Sequence, residues 1–132
     1  MDSLDAVTEL LHGAGVTMRG YECSDDEAVI RVHELFPDKS FCLVRDWIWI
    51  DLIMPKSVHV ERERTAHQDV ILYAHQVVLD SRCRFFPGDW IRTSPLIALT
   101  DDCFFETGNT VYVLLGNGTR KTAELSTVNM IF

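Results

Sequence analysis

The run FCLVRDWIWIDLIM, residues 41 to 54, constrains the fold more than any other part of the chain. A surface helix needs a polar stripe, and this run has none; aromatic and β-branched side chains dominate it instead. Read with period two, one face holds Trp47, Trp49, Asp51 and Ile53, and the other Ile48, Ile50 and Leu52. Two largely apolar faces predict a central strand, or a hairpin turning near Arg45-Asp46, covered on one side by helices. Pro55 ends the run.

Helices to cover such a strand lie upstream. Residues 3–12 read as a short helix with Leu4, Val7 and Leu11 on one face, and a loop through Gly15 and Gly20 follows. Ser24-Asp25-Asp26-Glu27 is a capping box ahead of Val29, Val32, Leu35 and Phe36 at helical spacing, with Pro37 beyond the end. Downstream, residues 57–68 fit a strand start, a helical turn or an exposed loop. Residues 69–80 read as a strand with Tyr73, His75, Val77 and Leu79 on one face, a helix being the alternative. From residue 81, Pro87-Gly88, Gly108-Asn109 and Gly116-Asn117-Gly118 separate short β-rich runs, the pattern of an antiparallel meander. Residues 126–132 close the chain as a short helix capped by Ser126 or as a last strand. The expectation is a single α+β domain over residues 1–132, with one or two N-terminal helices packed on a curved, mostly antiparallel sheet and a C-terminal β-meander.

Composition narrows the function classes. The formal net charge is −8, and 7 of those charges fall within the first 52 residues, where 11 acids face 4 bases. Phosphate backbones require a basic patch, so direct nucleic-acid binding is not expected; a partner protein with a basic surface is. The longest apolar stretch is far short of a membrane span, the start is acidic where a secretion signal would be basic, and the four cysteines form no CxxC pair. These features predict a cytoplasmic protein with reduced, mostly buried thiols, no membrane contact and no cofactor.

Gly116-Asn117-Gly118-Thr119-Arg120-Lys121-Thr122 resembles a phosphate loop only superficially. A phosphate loop puts glycine directly before its lysine, at a strand-to-helix junction; here Arg120 precedes Lys121 and an alternating strand follows. The reading is a tight hairpin, with Arg120 and Lys121 on opposite faces. His59, His67 and His75 recur every eight residues without close ligand spacing, so no metal site is assigned. Cys23 stands at a helix start, but the acids after it oppose a thiolate; Cys42, Cys83 and Cys103 read as core. No catalytic residue is assigned. Phe85-Phe86 and Phe104-Phe105 each put one ring inward and one nearer solvent, a candidate contact surface.

The segment FFPGDWIRTSPLIALTDDCFFETGNTVYVLLGNGTRKT, residues 85 to 122, resembles part of an uncharacterised family of small proteins encoded by pseudomonads and their phages or prophages. The resemblance implies a phage or mobile-element setting and brings no catalytic residue. By analogy with anti-CRISPR-like inhibitors, it implies a small acidic protein that occupies a host nucleic-acid-handling complex. The leading expectation is thus a non-enzymatic protein-binding module, leaning away from enzyme, with Glu22, Asp25, Asp26 and Glu27 as partner-binding residues. The alternatives are a small enzyme whose site is assembled from dispersed His, Cys and carboxylate groups, and a self-assembling structural protein, with a homodimer possible.

Overall fold

The structure, a computed structural model, describes residues 3–54 and 68–131. The described elements run α1 (Ser3–His12), β1 (Val16–Arg19), α2 (Asp25–Leu35), β2 (Ser40–Ile53), β3 (Val70–Asp80), β4 (Ile91–Arg92), β5 (Ala98–Thr100), β6 (Phe104–Glu106), β7 (Thr110–Leu114), β8 (Asn117–Glu124) and α3 (Leu125–Val128). The fold is α+β, as expected: short helices on a strongly curled sheet whose pairings are antiparallel except for β2 with β7 and β2 with β8. The ambiguous stretch 57–68, with His59 and His67, lies outside the described residues apart from Gln68.

β2 is one unbroken 14-residue strand and the hub of the sheet. β3 lies antiparallel along one side of it; β7 and then β8 lie parallel along the other. Its alternation is interrupted once. Cys42 and Val44 share a buried cluster with Trp47 and Trp49, so three residues rather than two separate the inward positions Val44 and Trp47. The slip falls at Arg45-Asp46, where Asp46 takes the left-handed φ of 51°. A kink thus replaces the hairpin that those two residues allowed in the sequence. β3 answers with its own irregularity between the Leu43 and Val44 pairings. β3 also changes faces beside the Arg45-Asp46 kink, where Ala74 and Val77, three apart, share the first cluster; Tyr73 and Val77 thus face different clusters, and the shared face predicted for them splits.

The largest departure concerns Gly116-Asn117-Gly118. Both β7 and β8 run parallel to β2, so the chain does not reverse there; it continues past a bend. Val44 pairs with Leu114 and Ile48 with Thr119, four residues on β2 against five on the other run, and the extra residue is taken up at the bend. Gly116 supplies its positive φ of 66°. Gly118 is needed for a different reason: Trp47 lies flat on it, and a Cβ at residue 118 would stand 2.3 Å from Trp47 Cδ2. The meander of β5, β6 and β7 is antiparallel throughout and stops at β7.

Residues 91–100 curl the sheet. Thr93 and Leu96 donate backbone N–H bonds to Leu72 and Val70 on β3, whereas Ile97 donates to Glu106 on β6. Pro95, which has no N–H to offer a ladder, falls between the two bonds to β3, and the chain changes partner between Leu96 and Ile97. The first cluster, with Trp47, Trp49, Leu72, Phe105 and Leu114, fills the concave side. Outside, α2 covers Phe41, Leu43, Phe104 and Val113. α1 and α3 cover Ile48, Ile50, Leu52, Ile71 and Tyr73. Burial on both sides explains why Phe104 and Phe105 are 1% and 0% exposed, against the expectation of one outward ring; Phe85-Phe86 does divide, with Phe86 exposed.

The helix ends differ in detail from the sequence reading. The buried stripe of α1 is Val7, Leu10 and Leu11, with Leu4 in solvent. Ser24 Oγ accepts the Glu27 N–H at 3.2 Å, so the serine half of the capping box forms, while no return bond from the Glu27 carboxylate is made. Glu124 stands at the N-cap position of α3 without a side-chain capping bond, and Ser126 lies inside the helix. The loop predicted through Gly15 and Gly20 contains β1, four residues too short and too exposed to show an alternation.

Candidate interaction surface

Glu22, Asp25, Asp26 and Glu27 all stand in solvent around the first turn of α2. The helix dipole favours acids at this end, which accounts for their presence without accounting for the rest of the surface. Asp25 is tied to Arg45 at 3.0 Å. Arg31 lies 3.6 Å from Asp101, so the β5–β6 turn sits beside the same helix and adds Asp101 and Asp102 to its acidic surroundings. Both aspartates take left-handed φ angles, 51° and 57°, in a turn that closes with a Cys103 N–H bond to Thr100 O. The sequence reading treated these two acid groups separately; the fold brings them together across Arg31.

One further residue belongs here. α2 buries Ala28 and Val32, which puts Ile30 on the opposite face, 60% exposed. Asp26 and Glu27 precede it by four and three residues, the spacings that share a helix face. An exposed apolar side chain with Asp26 and Glu27 on its N-terminal side is what a complementary pocket with a basic rim would recognise. Periodicity alone would have found it, because Ile30 falls off the Ala28–Val32 stripe.

The thiols beneath this surface are not activated. Burial pushes Cys23 up, and Glu27 pushes it further. Burial first, then Asp101, raises Cys103 to about 12, and burial raises Cys42 to about 12. Cys83, expected in the core, is exposed at a left-handed φ of 54°. Timed alkylation followed by peptide mapping is therefore expected to label Cys83 first and Cys23 more slowly. Cys42 and Cys103 should react only as the protein unfolds. Early labelling of Cys42 or Cys103 would contradict this packing.

The remaining polar candidates are engaged structurally. Arg120 and Lys121 point to opposite sides, as the sequence reading required. Arg120 binds both oxygens of Asp51, at 2.7 and 3.0 Å, and lies over the Trp49 ring. Lys121 Nζ donates to Leu10 O and Gly13 O, 2.7 Å each, capping the carbonyl end of α1. His75 Nε2 faces Leu11 O at 3.1 Å; a carbonyl only accepts, so Nε2 carries the proton and Nδ1 accepts from the Tyr73 hydroxyl at 3.3 Å. His12 stacks on the same ring. Among the described residues, no group of three or more His, Cys, Asp or Glu converges as metal ligands, and no helix is long and apolar enough to cross a membrane.

A curled mixed sheet flanked by short helices, carrying an acidic helix end with an exposed isoleucine, defines an α+β protein whose distinctive chemistry is on its surface. Residues 19–130 match the family model described as Domain of unknown function (DUF6957), and the chain belongs to that family. α1 lies ahead of the matched region. None of the curated proteins and none of the solved structures matches the chain.

Proposed function

We propose that this protein is a non-enzymatic binding module that docks on the basic surface of a partner protein through the N-terminal end of α2. The observation that carries this reading is the exposure of Glu22, Asp25, Asp26 and Glu27 around the first turn of α2, with Asp26 and Glu27 on the face of the exposed Ile30. Charge would steer the encounter and the isoleucine would supply the dry contact at its centre. The engagement of His75, Arg120 and Lys121 in fold-building bonds supports a binding role over a catalytic one. The motif resemblance across residues 85–122 supports a finer version: a phage or mobile-element protein acting in the cytoplasm, anti-CRISPR-like, whose acids occupy the nucleic-acid site of a host defence complex.

Reversing Glu22, Asp25, Asp26 and Glu27 to lysine is expected to slow association about tenfold or more at low salt. Ile30→Ser is expected to speed dissociation while leaving association nearly unchanged. Both are read by surface plasmon resonance on the captured partner, with circular dichroism to confirm folding. Association rates indifferent to charge reversal and to salt would refute the acidic docking face.

A further inference from the structure

α1 is held by groups that do not belong to it. The last carbonyls of a helix have no partner within it. Here Lys121 Nζ of β8 donates to Leu10 O and Gly13 O, and His75 Nε2 of β3 donates to Leu11 O. His12 stacks on the His75 ring, with centroids 5.4 Å apart. Beneath them Val7, Leu10 and Leu11 enter the cluster of Ile48, Ile50, Tyr73 and Val128. These three positions follow the i, i+3, i+4 spacing with which an amphipathic helix fills a groove. Lys121, His75 and that cluster together form a receptor for the carbonyl end of a helix.

The occupant is less integrated than its receptor. Of the described α1 side chains only Leu10 is fully buried, and Gly13, Ala14 and Gly15 link the helix to β1. Ten residues are too few to stay helical once released. The family match starts at residue 19, so the receptor groups lie inside it and α1 lies ahead of it. Charge adds selection. Burial lowers the Lys121 ammonium from its usual value, and Glu9 of α1 acts in the opposite direction. An occupant with a carboxylate at that place offsets the partial burial of the ammonium. We propose that α1 is a displaceable strap over a helix-binding groove whose ligand is an acidic amphipathic helix of a partner protein. That helix presents apolar side chains at the Val7, Leu10 and Leu11 positions, a carboxylate at the Glu9 position, and its free carbonyl end to Lys121 and His75. With a net charge of −8, copies of this chain repel one another, which favours a partner protein over a second copy. The site is separate from the α2 surface and does not rest on that reading.

The test uses the full chain, isotope-labelled. In native-state hydrogen exchange the α1 amides are expected to be about 100-fold less protected than those of β2 and β3, because they exchange through a local opening. Val7→Ser combined with Leu10→Ser in the full chain should release α1 and leave β2 and β3 protected. A synthetic wild-type peptide of residues 1–15 at about 1 mM should then bind that variant and shift the amides of Ile48, His75 and Lys121. Glu9→Lys in the peptide and Lys121→Met in the variant are each expected to weaken this binding about tenfold. Lysine reversal at Glu22, Asp25, Asp26 and Glu27 should leave it unchanged, which separates this site from the α2 face. α1 amides that exchange only with global unfolding would show that α1 is core and not a strap. Loss of β2 and β3 protection in the serine variant would show the same. No peptide binding by the folded variant, equal binding of the Glu9→Lys peptide, or a wild-type dimer that exchanges α1 between copies would each overturn the assignment.

Discussion

Gly118→Ala is expected to destabilise the protein by about 3 kcal/mol or more, far beyond an ordinary glycine-to-alanine exchange in a strand. The new methyl group would lie 2.3 Å from Trp47 Cδ2 and 2.5 Å from Trp47 O. The ring cannot swing away, because it is 1% exposed and its Nε1 donates to Leu115 O at 3.2 Å. The carbonyl contact is backbone and does not depend on the side chain, so Trp47→Leu should restore only part of the loss. Gly88→Ala is the matching control: its φ is 93°, but nothing lies within 4 Å of the added carbon, so only conformational strain is charged, about 1 kcal/mol. Urea denaturation of the three variants measures the difference. A Gly118→Ala loss no larger than that of Gly88→Ala would mean that Trp47 does not rest on β8.

Arg84→Met is expected to cost about 3 to 5 kcal/mol near neutral pH, because it strands a carboxylate in the interior. Asp80 has a fully buried side chain and receives Arg84 Nη2 at 2.7 Å and Nε at 2.9 Å. Arg84 also donates Nη1 to Thr110 Oγ1, stapling the end of β3 to β7. Burial alone would raise the Asp80 carboxyl, but the hydrogen bonds and charge of Arg84 outweigh it and hold the group below its usual range. A depressed folded value stabilises above the unfolded carboxylate range. That contribution is complete above about pH 4 and fades as pH falls further. Without the Arg84 side chain the carboxylate keeps only backbone N–H donors against its burial, so the depression and the step shrink and the stabilities of variant and wild type converge in acid. Asp80→Asn combined with Arg84→Met should recover much of the neutral-pH loss, since no unpaired charge is left. Parallel stability–pH curves for wild type and Arg84→Met would contradict the buried pair.

The elements of this fold were legible where a residue pattern has one physical cause. The Ser24 cap announced α2, and the two-faced apolar run announced a central strand. Partnership between strands was not legible. Gly-Asn-Gly satisfies a hairpin and a bend equally well, and the decision rests on β2 lying alongside both β7 and β8, a contact between residues about 70 positions apart. The faces read for residues 47–53 hold, with Trp47 and Trp49 in one cluster and Ile48, Ile50 and Leu52 in another. What the sequence hid is that left-handed Asp46 resets their parity against Cys42 and Val44, a conformation aspartate tolerates without advertising it, and that the Tyr73–Val77 face of β3 splits. The acids of α2 were legible as a helix start, whereas their company, Asp101 and Asp102 across Arg31, required the tertiary fold.

Affinity capture with tagged protein from lysate of the native host, run side by side with the lysine-reversed Glu22/Asp25/Asp26/Glu27 variant and read by mass spectrometry, tests the central claim most directly. The acidic docking face predicts that wild type recovers one basic, nucleic-acid-handling partner in stoichiometric amount at low salt. That partner should be lost at moderate salt and absent from the folded variant at either salt. Recovery of the same partner by wild type and variant alike, insensitive to salt, would show that α2 is not the surface through which this protein acts.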